Sequence, residues 1–232
     1  MTDTENRANS EADTRLLHRM VFFSDAVFAI VMTLLVLELR PPPATSEAAL
    51  EAGLIALAPT FIAFLTTFAL TGVFWFAHMS TTRRLVVFDP LVAVANMAFL
   101  LIVSLMPFAS RLLGENFRSP LIWEVYSLTL IAASVVNLLL LAAVNRGGGR
   151  LVGGPGGREV AYRALRAAAP GIAFTIGFWG ASEGRMVIPQ MCWVIIPLVF
   201  VIARLIRGRP AKQGAAAAVE TAAGTEPGVA AS

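Results

Sequence analysis

Charged residues and cysteines are scarce in this sequence. Only 14% of its 232 residues are Asp, Glu, Lys or Arg, against about 25% in an ordinary soluble domain. The single cysteine, Cys192, excludes an internal disulfide and a multi-cysteine metal site. Apolar residues make up 57% of the chain, and the mean hydropathy is +0.73. This composition is typical of an integral membrane protein, and the length suits one membrane unit without a separate catalytic domain.

Histidines are few as well. The chain has only two, His18 and His78, and it has no H-E-x-x-H motif. We therefore expect no enzyme activity, no bound metal and no cofactor. The glycine-rich stretch 147–157 lacks the Gly-Lys-Ser/Thr ending of a phosphate-binding loop, and we interpret it as a cytoplasmic linker.

Six apolar runs are each long enough to form a membrane-spanning helix, which needs about 20 residues. They cover residues 20–39, 53–77, 90–110, 121–144, 162–182 and 186–206. We therefore predict an all-α membrane domain over residues 19–207 with six spans. Residues 1–18 would form a cytoplasmic N-terminal segment, and the Ala- and Gly-rich residues 208–232 a disordered cytoplasmic tail. The first run is not interpreted as a signal peptide, since acidic residues precede it and Asp25 lies inside it.

Lys and Arg are distributed unevenly between the loops. With the N-terminus in the cytoplasm, only four of the 18 fall on the outer side: Arg40, Arg111, Arg118 and Arg185. Because positively charged loops stay in the cytoplasm, the pattern predicts that both termini are cytoplasmic. It also explains the basic pI of 9.7 without a nucleic-acid partner.

The first run contains an ionisable residue, Asp25. A carboxylate inside a membrane helix costs at least about 2.5 kcal/mol on insertion scales, so it normally faces protein or water and has a partner. Asp25 is therefore a functional candidate. A purely structural role, in which it ties helices together near the interface, accounts for it equally well.

Four residues of the same run share one helical face: Ile30, Thr33, Leu34 and Leu37. Branched aliphatic residues with one hydroxyl layer can line a narrow pore, where apolar rings gate by dewetting and hydroxyl oxygens replace part of an ion's hydration shell. The same residue types at the same spacing also serve ordinary helix packing. We call these four residues the pore face.

The first run also carries a recognisable motif. Arg19-x-x-x-Phe23-Ser24-Asp25, continued through residues 26–30 and 33–38, resembles the R-x-x-x-F-S-D signature of the TMEM175 family of potassium channels. The resemblance covers nearly the whole first helix. A single set of six spans is similar to the prokaryotic branch of that family, whose members are tetramers in the plasma membrane.

This resemblance implies a homotetramer in the lipid bilayer, with four copies of the first helix around a pore that conducts potassium ions. Ile30 would form the hydrophobic constriction, Leu34 or Leu37 a further apolar ring, and Thr33 the hydroxyl ring that favours potassium. The family has no re-entrant selectivity loop, and this chain contains no TVGYG sequence.

The resemblance also implies a set of residues that fasten the first helix to its neighbour, which we call the helix lock. Phe74-Trp75-Phe76-Ala77-His78 in the second run is similar to the family's F-W-x-x-H element. The implied lock consists of Arg19, Phe23, Ser24, Asp25, Trp75 and His78. Since Arg19 falls close to the pore face on a helical wheel, we expect it to pair sideways with an acid or the helix to bend before it.

A proton-coupled secondary transporter is the alternative function. Asp25 and His78 would then relay protons instead of fastening helices. The chain shows no internal repeat of the kind many transporters have, which favours the channel.

Overall fold

The computed structural model describes residues 3–43, 45–146 and 157–207, and these residues form a bundle of helices without a strand. The predicted tail, 208–232, and all but the last residue of the predicted linker, 147–157, lie outside the described residues.

The first helix, α1, covers Asp3–Leu34 and continues as a 3-10 helix over Leu35–Glu38. It therefore begins well before the apolar run that starts at residue 20. One face of it is buried against the bundle, through residues spaced seven, four, three and four apart: Leu17, Ser24, Phe28, Val31 and Leu35. This spacing is that of a helical stripe and sets which face of α1 remains outside.

The predicted start of the second span, at residue 53, is wrong. Residues 47–56 form a separate short helix, α2 (Glu47–Ala56), capped by the Ser46 side chain, and the long helix α3 covers Ala58–Thr82. Pro59 lies at the second position of α3. It has no N–H with which to continue α2, so the chain turns at Leu57 instead.

Two further spans are interrupted by proline. The third consists of α4 (Pro90–Val103) and α5 (Met106–Glu115), with Pro107 in the first turn of α5. The last consists of α8 (Val187–Met191), a 3-10 turn (Cys192–Val194) and α9 (Ile195–Arg207), with Pro197 in the first turn of α9. In each case the missing N–H breaks the hydrogen-bond ladder, and the chain continues in nearly the same direction.

The centre of the bundle is the packing of α6 (Pro120–Asn145) on α7 (Gly157–Ser182). Small residues allow the close approach: a Cβ on Gly171 would lie 2.7 Å from the Cβ of Ser134. Pro170 lies inside α7 without ending it. The main core also includes Phe28, Phe74 and Tyr126, so it joins α1, α3 and α6.

Five helical segments of the described chain are long and apolar enough to cross a membrane. They are Glu11–Glu38, Ala58–Thr82, Pro90–Glu115, Pro120–Asn145 and Val187–Leu205. The predicted span 162–182 is helical, as part of α7, but is not among the five. Its glycines, serine and proline, together with the arginines of its first half, lower its hydropathy.

Candidate functional site

The predicted pore face lies on the outside of the single chain. Ile30 is 56% exposed, Leu34 42% and Leu37 66%, and Thr33 is exposed as well. On the opposite side of the same helix, Phe28 and Leu35 are at most 1% exposed. The described residues thus cover one face of α1 and leave the four residues of the pore face, apolar apart from the Thr33 hydroxyl, without cover.

Thr33 has a defined orientation within this face. Its hydroxyl donates to the carbonyl oxygen of Ile30 over 2.8 Å. Since the hydroxyl proton is used in this bond, the oxygen lone pairs remain available to a cation. Beyond it, the change to a 3-10 helix brings residues three apart into line, so that Leu37 follows Leu34 along the helix axis.

The C-terminal end of the first helix is held by ionic contacts. Arg111 on α5 lies 3.7 Å from the Glu38 carboxylate and donates to Glu115 over 2.9 Å. Glu38 follows Leu37 directly, so this contact joins the end of the pore face to α5.

A buried chain of hydrogen bonds holds α1 at Ser24. The Ser24 hydroxyl donates to the carbonyl oxygen of Met20 over 2.9 Å and accepts from the Asn96 side-chain amide over 2.9 Å. The oxygen of that amide lies 2.7 Å from His78 Nε2. With these roles His78 carries its proton on Nε2. We call Ser24, Asn96 and His78 the polar chain; it links α1, α4 and α3, and each member is at most 1% exposed.

Asp25 and Trp75 form a second contact between α1 and α3. The indole Nε1 of Trp75 donates to Asp25 Oδ1 over 2.9 Å, and both residues are half-buried. Aromatic rings enclose the neighbouring polar chain: Phe99 stacks on His78 at 5.6 Å between centroids, and Phe28 lies at 5.7 Å. The arrangement can fix helix positions, because donors and acceptors meet where water is excluded.

Four residues of the implied helix lock are thus brought together, namely Ser24, Asp25, Trp75 and His78. The other two, Arg19 and Phe23, are exposed and line a separate surface hollow with Phe88 and Met97. The described residues give Arg19 no ion pair, and α1 is helical through position 19.

No motif of the sequence singles out Asn96. It lies at the centre of the polar chain, where its side chain bonds to both Ser24 and His78. The available signal was its type: a side chain with both donor and acceptor, at full burial, can connect two helices at once.

One catalytic spacing occurs in the chain, G-x-S-x-G over residues 180–184. Ser182 lies at the end of α7, and its hydroxyl donates to the Trp179 carbonyl oxygen over 2.8 Å. A nucleophilic serine of this motif sits on a strand-to-helix turn beside a histidine. Ser182 follows a helix, so the spacing gives no nucleophile. The described residues likewise contain no group of three or more His, Cys, Asp or Glu that could hold a metal.

Asp89 connects the start of α4 to the end of α6. Its Oδ1 accepts the Val92 N–H over 3.0 Å at the start of α4, and its Oδ2 pairs with Arg146 at the end of α6. The hydrogen bond from the Val92 N–H, with the Arg146 guanidinium beside it, holds the pKa of Asp89 below its ordinary value.

The chain is similar to several known proteins. The family model described as "Endosomal/lysosomal potassium channel TMEM175" matches residues 19–107. A protein of Streptomyces collinus named a potassium channel is 31% identical over 121 residues, or 50% of this chain and 59% of that protein. One of Chryseobacterium sp. with the same designation is 30% identical over 122 residues, or 53% of this chain and 62% of that protein. The chain therefore spans about three fifths of the length of these relatives.

A solved structure is similar over a larger part of the chain. It is the crystal structure of a lysosomal potassium-selective channel TMEM175 homolog from Chamaesiphon minutus. The TM-score is 0.69 at 25% identity, and the alignment covers 82% of this chain and 99% of that one. The family model, the bacterial relatives and the solved fold agree: the chain is similar to TMEM175 channels in sequence over residues 19–107 and in fold over 82% of its length.

Proposed function

We propose that this protein is a potassium-permeable cation channel in which ions diffuse passively through a central pore lined by α1. The observation that carries the proposal is the uncovered pore face. A helix near the N-terminus buries Phe28, Val31 and Leu35, yet exposes Ile30, Leu34 and Leu37. The designation of its bacterial relatives as potassium channels and its fold similarity to a potassium-selective channel support the same function.

In this mechanism Ile30 forms the hydrophobic constriction, with Leu34 and Leu37 as further apolar rings. An ion loses part of its hydration shell there, and the Thr33 oxygens, whose lone pairs are unused, replace some of the lost contacts. One hydroxyl layer offers fewer ligands than stacked carbonyl rings, so the preference for potassium over sodium should be modest. Arg19, Phe23, Ser24, Asp25, Trp75 and His78 would hold α1 in position.

The proposed assembly is a homotetramer in the plasma membrane of a prokaryote, with both termini in the cytoplasm. Its six spans are the five apolar segments and α7, whose 26 residues give about 39 Å of helix. A second apolar hollow between α1 and α3, lined by Ala29, Met32 and Gly72, offers a surface for a neighbouring copy. Native mass spectrometry should give a particle of four times 24.7 kDa.

The decisive experiment is flux of K⁺ and of Na⁺ into liposomes that contain the purified protein. We expect Ile30→Ala to raise the flux, because it widens the constriction, and Thr33→Ala to lower the ratio of K⁺ to Na⁺ flux. Leu101→Ala is the matched control: this side chain is 65% exposed on α4, away from the pore face. Absence of flux, or an equal effect of Leu101→Ala, contradicts the proposed pore.

A proton-coupled transporter built on Asp25 and His78 is the second candidate. It is favoured by one atom: His78 Nδ1 is buried and has no hydrogen-bond partner in the described chain. The two residues, however, bond to different partners, Trp75 and Asn96. A transporter would move K⁺ only with a proton gradient, and His78→Gln would abolish that coupling. Flux that persists at equal pH on both sides supports the channel instead.

A further inference from the structure

Four arginines converge on one cavity that the pore does not use. The cavity is about 140 Å³ and lies between the C-terminal end of α3 and the first turns of α7. Arg83 and Arg84 line it directly after the end of α3, and Arg163 and Arg166 line it from α7. We call it the arginine cavity.

The arginine cavity has an excess of positive charge. Its single acidic residue, Glu159, lies 3.9 Å from Arg84 and 3.2 Å from Arg163. In the described part of the chain, no ion pair includes Arg83 or Arg166. The described residues therefore leave the charges of Arg83 and Arg166 uncompensated, so an anion would be attracted.

The guanidinium of Arg166 is held in place by aromatic rings. Its carbon lies 5.5 Å from the centre of the Tyr162 ring and 5.4 Å from that of Phe200, and its Nη1 donates to the Tyr162 hydroxyl over 3.3 Å. A preoriented planar guanidinium suits the oxygens of a phosphate group, which it can bind with two parallel hydrogen bonds.

The lining changes from polar to apolar along α3. Phe76, 50% exposed, and Met79 belong to the same cavity as Arg83, which follows Phe76 by two helical turns. This order matches a lipid, with acyl chains beside the phenylalanine and the phosphate among the arginines. Arginines that served only as membrane-interface anchors would have no need to converge on one cavity.

We propose that the arginine cavity binds the phosphate group of an anionic lipid headgroup. The site would lie in the cytoplasmic leaflet if the proposed orientation is correct, but binding itself requires neither that orientation nor ion conduction. Arg83 and Arg166 supply the uncompensated charge, while Arg84 and Arg163 keep Glu159 paired beside them.

The test is a titration of the detergent-solubilised full chain, followed by native mass spectrometry. The probes are dioctanoyl phosphatidylglycerol, the zwitterionic dioctanoyl phosphatidylcholine, and inorganic phosphate as competitor. The variants are Arg83→Gln alone and Arg83→Gln with Arg166→Gln. The control is Arg40→Gln with Arg118→Gln, which removes two exposed arginines elsewhere.

We expect saturable binding of phosphatidylglycerol in preference to phosphatidylcholine. It should weaken about fivefold in the single variant and about thirtyfold in the double variant, and it should remain unchanged in the control. Displacement of phosphatidylglycerol by inorganic phosphate at a similar concentration would overturn the assignment to a lipid. The arginine cavity would then be a site for free phosphate. Equal binding of both lipids, or equal losses in the control, would overturn the proposal. This titration does not measure flux. A negative result would therefore not contradict the proposed pore, and absence of flux would not contradict the proposed lipid site.

Discussion

At the scale of single residues, the polar chain depends on hydrogen bonds for which the membrane interior offers no substitute. Asn96 both donates to Ser24 and accepts from His78, at 0% exposure. If one partner is removed, another buried polar group loses its bond and keeps the cost of its desolvation. The polar chain should therefore be sensitive to changes as small as one hydroxyl.

Ser24→Ala tests this at a single oxygen. The change removes the acceptor of the Asn96 amide, and we expect a loss of about 1–3 kcal/mol of stability. Ser104 is the matched control: its hydroxyl also donates to the carbonyl four residues earlier, over 2.8 Å, but it accepts no hydrogen bond from another helix among the described residues. Ser104→Ala should stay within about 0.5 kcal/mol. Unfolding in detergent, followed by tryptophan fluorescence, gives both values, and equal losses would contradict the role of Ser24.

Part of this site could be predicted from sequence. Ser24, Asp25, Trp75 and His78 were expected together, and they do lie together. Asn96, which belongs to no motif of the sequence, is the centre of the polar chain. Arg19 and Phe23 belong to the same motif but lie on the surface. A motif gives residue types and spacing, whereas the partner of each side chain depends on how α4 packs, which a single segment does not specify.

At the scale of elements, the contact of α7 with α8 depends on Gly180. A Cβ at this position would overlap the Cβ of Ile188 and lie 2.6 Å from its Cγ2 and 3.2 Å from Cδ of Pro189. Both neighbours are stiff, because one is β-branched and the other a ring, so neither can yield easily.

We expect Gly180→Ala to destabilise the protein by about 1–3 kcal/mol, since it forces α8 away from α7. Gly72 is the comparison, because a Cβ there would meet nothing within 4 Å of the single chain. Gly72→Ala should be neutral or stabilise α3 by up to about 1 kcal/mol in the single chain, and a loss of stability would instead indicate that a neighbouring copy packs on the hollow beside Gly72. Thermal unfolding in detergent measures both. If the Gly180→Ala protein is as stable as the original, α8 can move to accommodate the added Cβ, and the stability of the protein does not depend on the close contact of α7 with α8.

The joint between α4 and α6 should be sensitive to acid. The folded state lowers the pKa of Asp89, so the ionised carboxylate contributes stability above its unfolded pKa of about 4. That contribution is lost as the pH falls from there through the lowered folded pKa. Asp89→Asn keeps a side chain that can cap α4 but removes the charge facing Arg146.

The unfolding temperature of the original protein should accordingly fall more steeply between pH 5 and pH 3 than that of Asp89→Asn. At neutral pH the variant should be the less stable of the two. If the unfolding temperatures of the two proteins fall in parallel over this pH range, the ionised Asp89 does not stabilise the contact between α4 and α6. The scan uses one detergent and one ionic strength, because the Arg146 contact is exposed and is screened by salt.

Helix ends were predicted less well than helices. All six apolar runs are helical over most of their length, because runs of about 20 apolar residues have few alternatives in a membrane. Their ends differ from the prediction near prolines. The second run forms two helices, which meet next to Pro59, and Pro107 and Pro197 interrupt the third and last spans. Pro170, by contrast, lies within α7 without ending it. The same residue type therefore has different outcomes, and packing of the neighbouring helices decides between them.

At the scale of the whole molecule, the structure leaves surfaces that one chain cannot cover. The pore face on α1 and the hollow beside Gly72 are apolar and adjoin each other through Ala29 and Met32. A membrane protein can leave such faces to lipid, but Thr33 among them has no benefit from lipid contact. Assembly around an axis would enclose the Thr33 hydroxyl, where its oxygen could contact a permeant ion. The tetramer and the pore are therefore proposed together.

The orientation of this assembly gives the last prediction. Glu51 on α2 and Val86 after α3 are both exposed and lie at opposite ends of the second span. With Cys192 replaced by Ser, we expect an impermeant thiol reagent to label Glu51→Cys in intact cells and Val86→Cys only after permeabilisation. The reason is the arginine distribution: Arg83 and Arg84 lie beside Val86, and moving that end across the bilayer opposes the preference of positive loops for the cytoplasm. The reversed labelling pattern would place the arginine cavity in the outer leaflet and contradict the proposed topology, while labelling of both in intact cells would contradict the span between them.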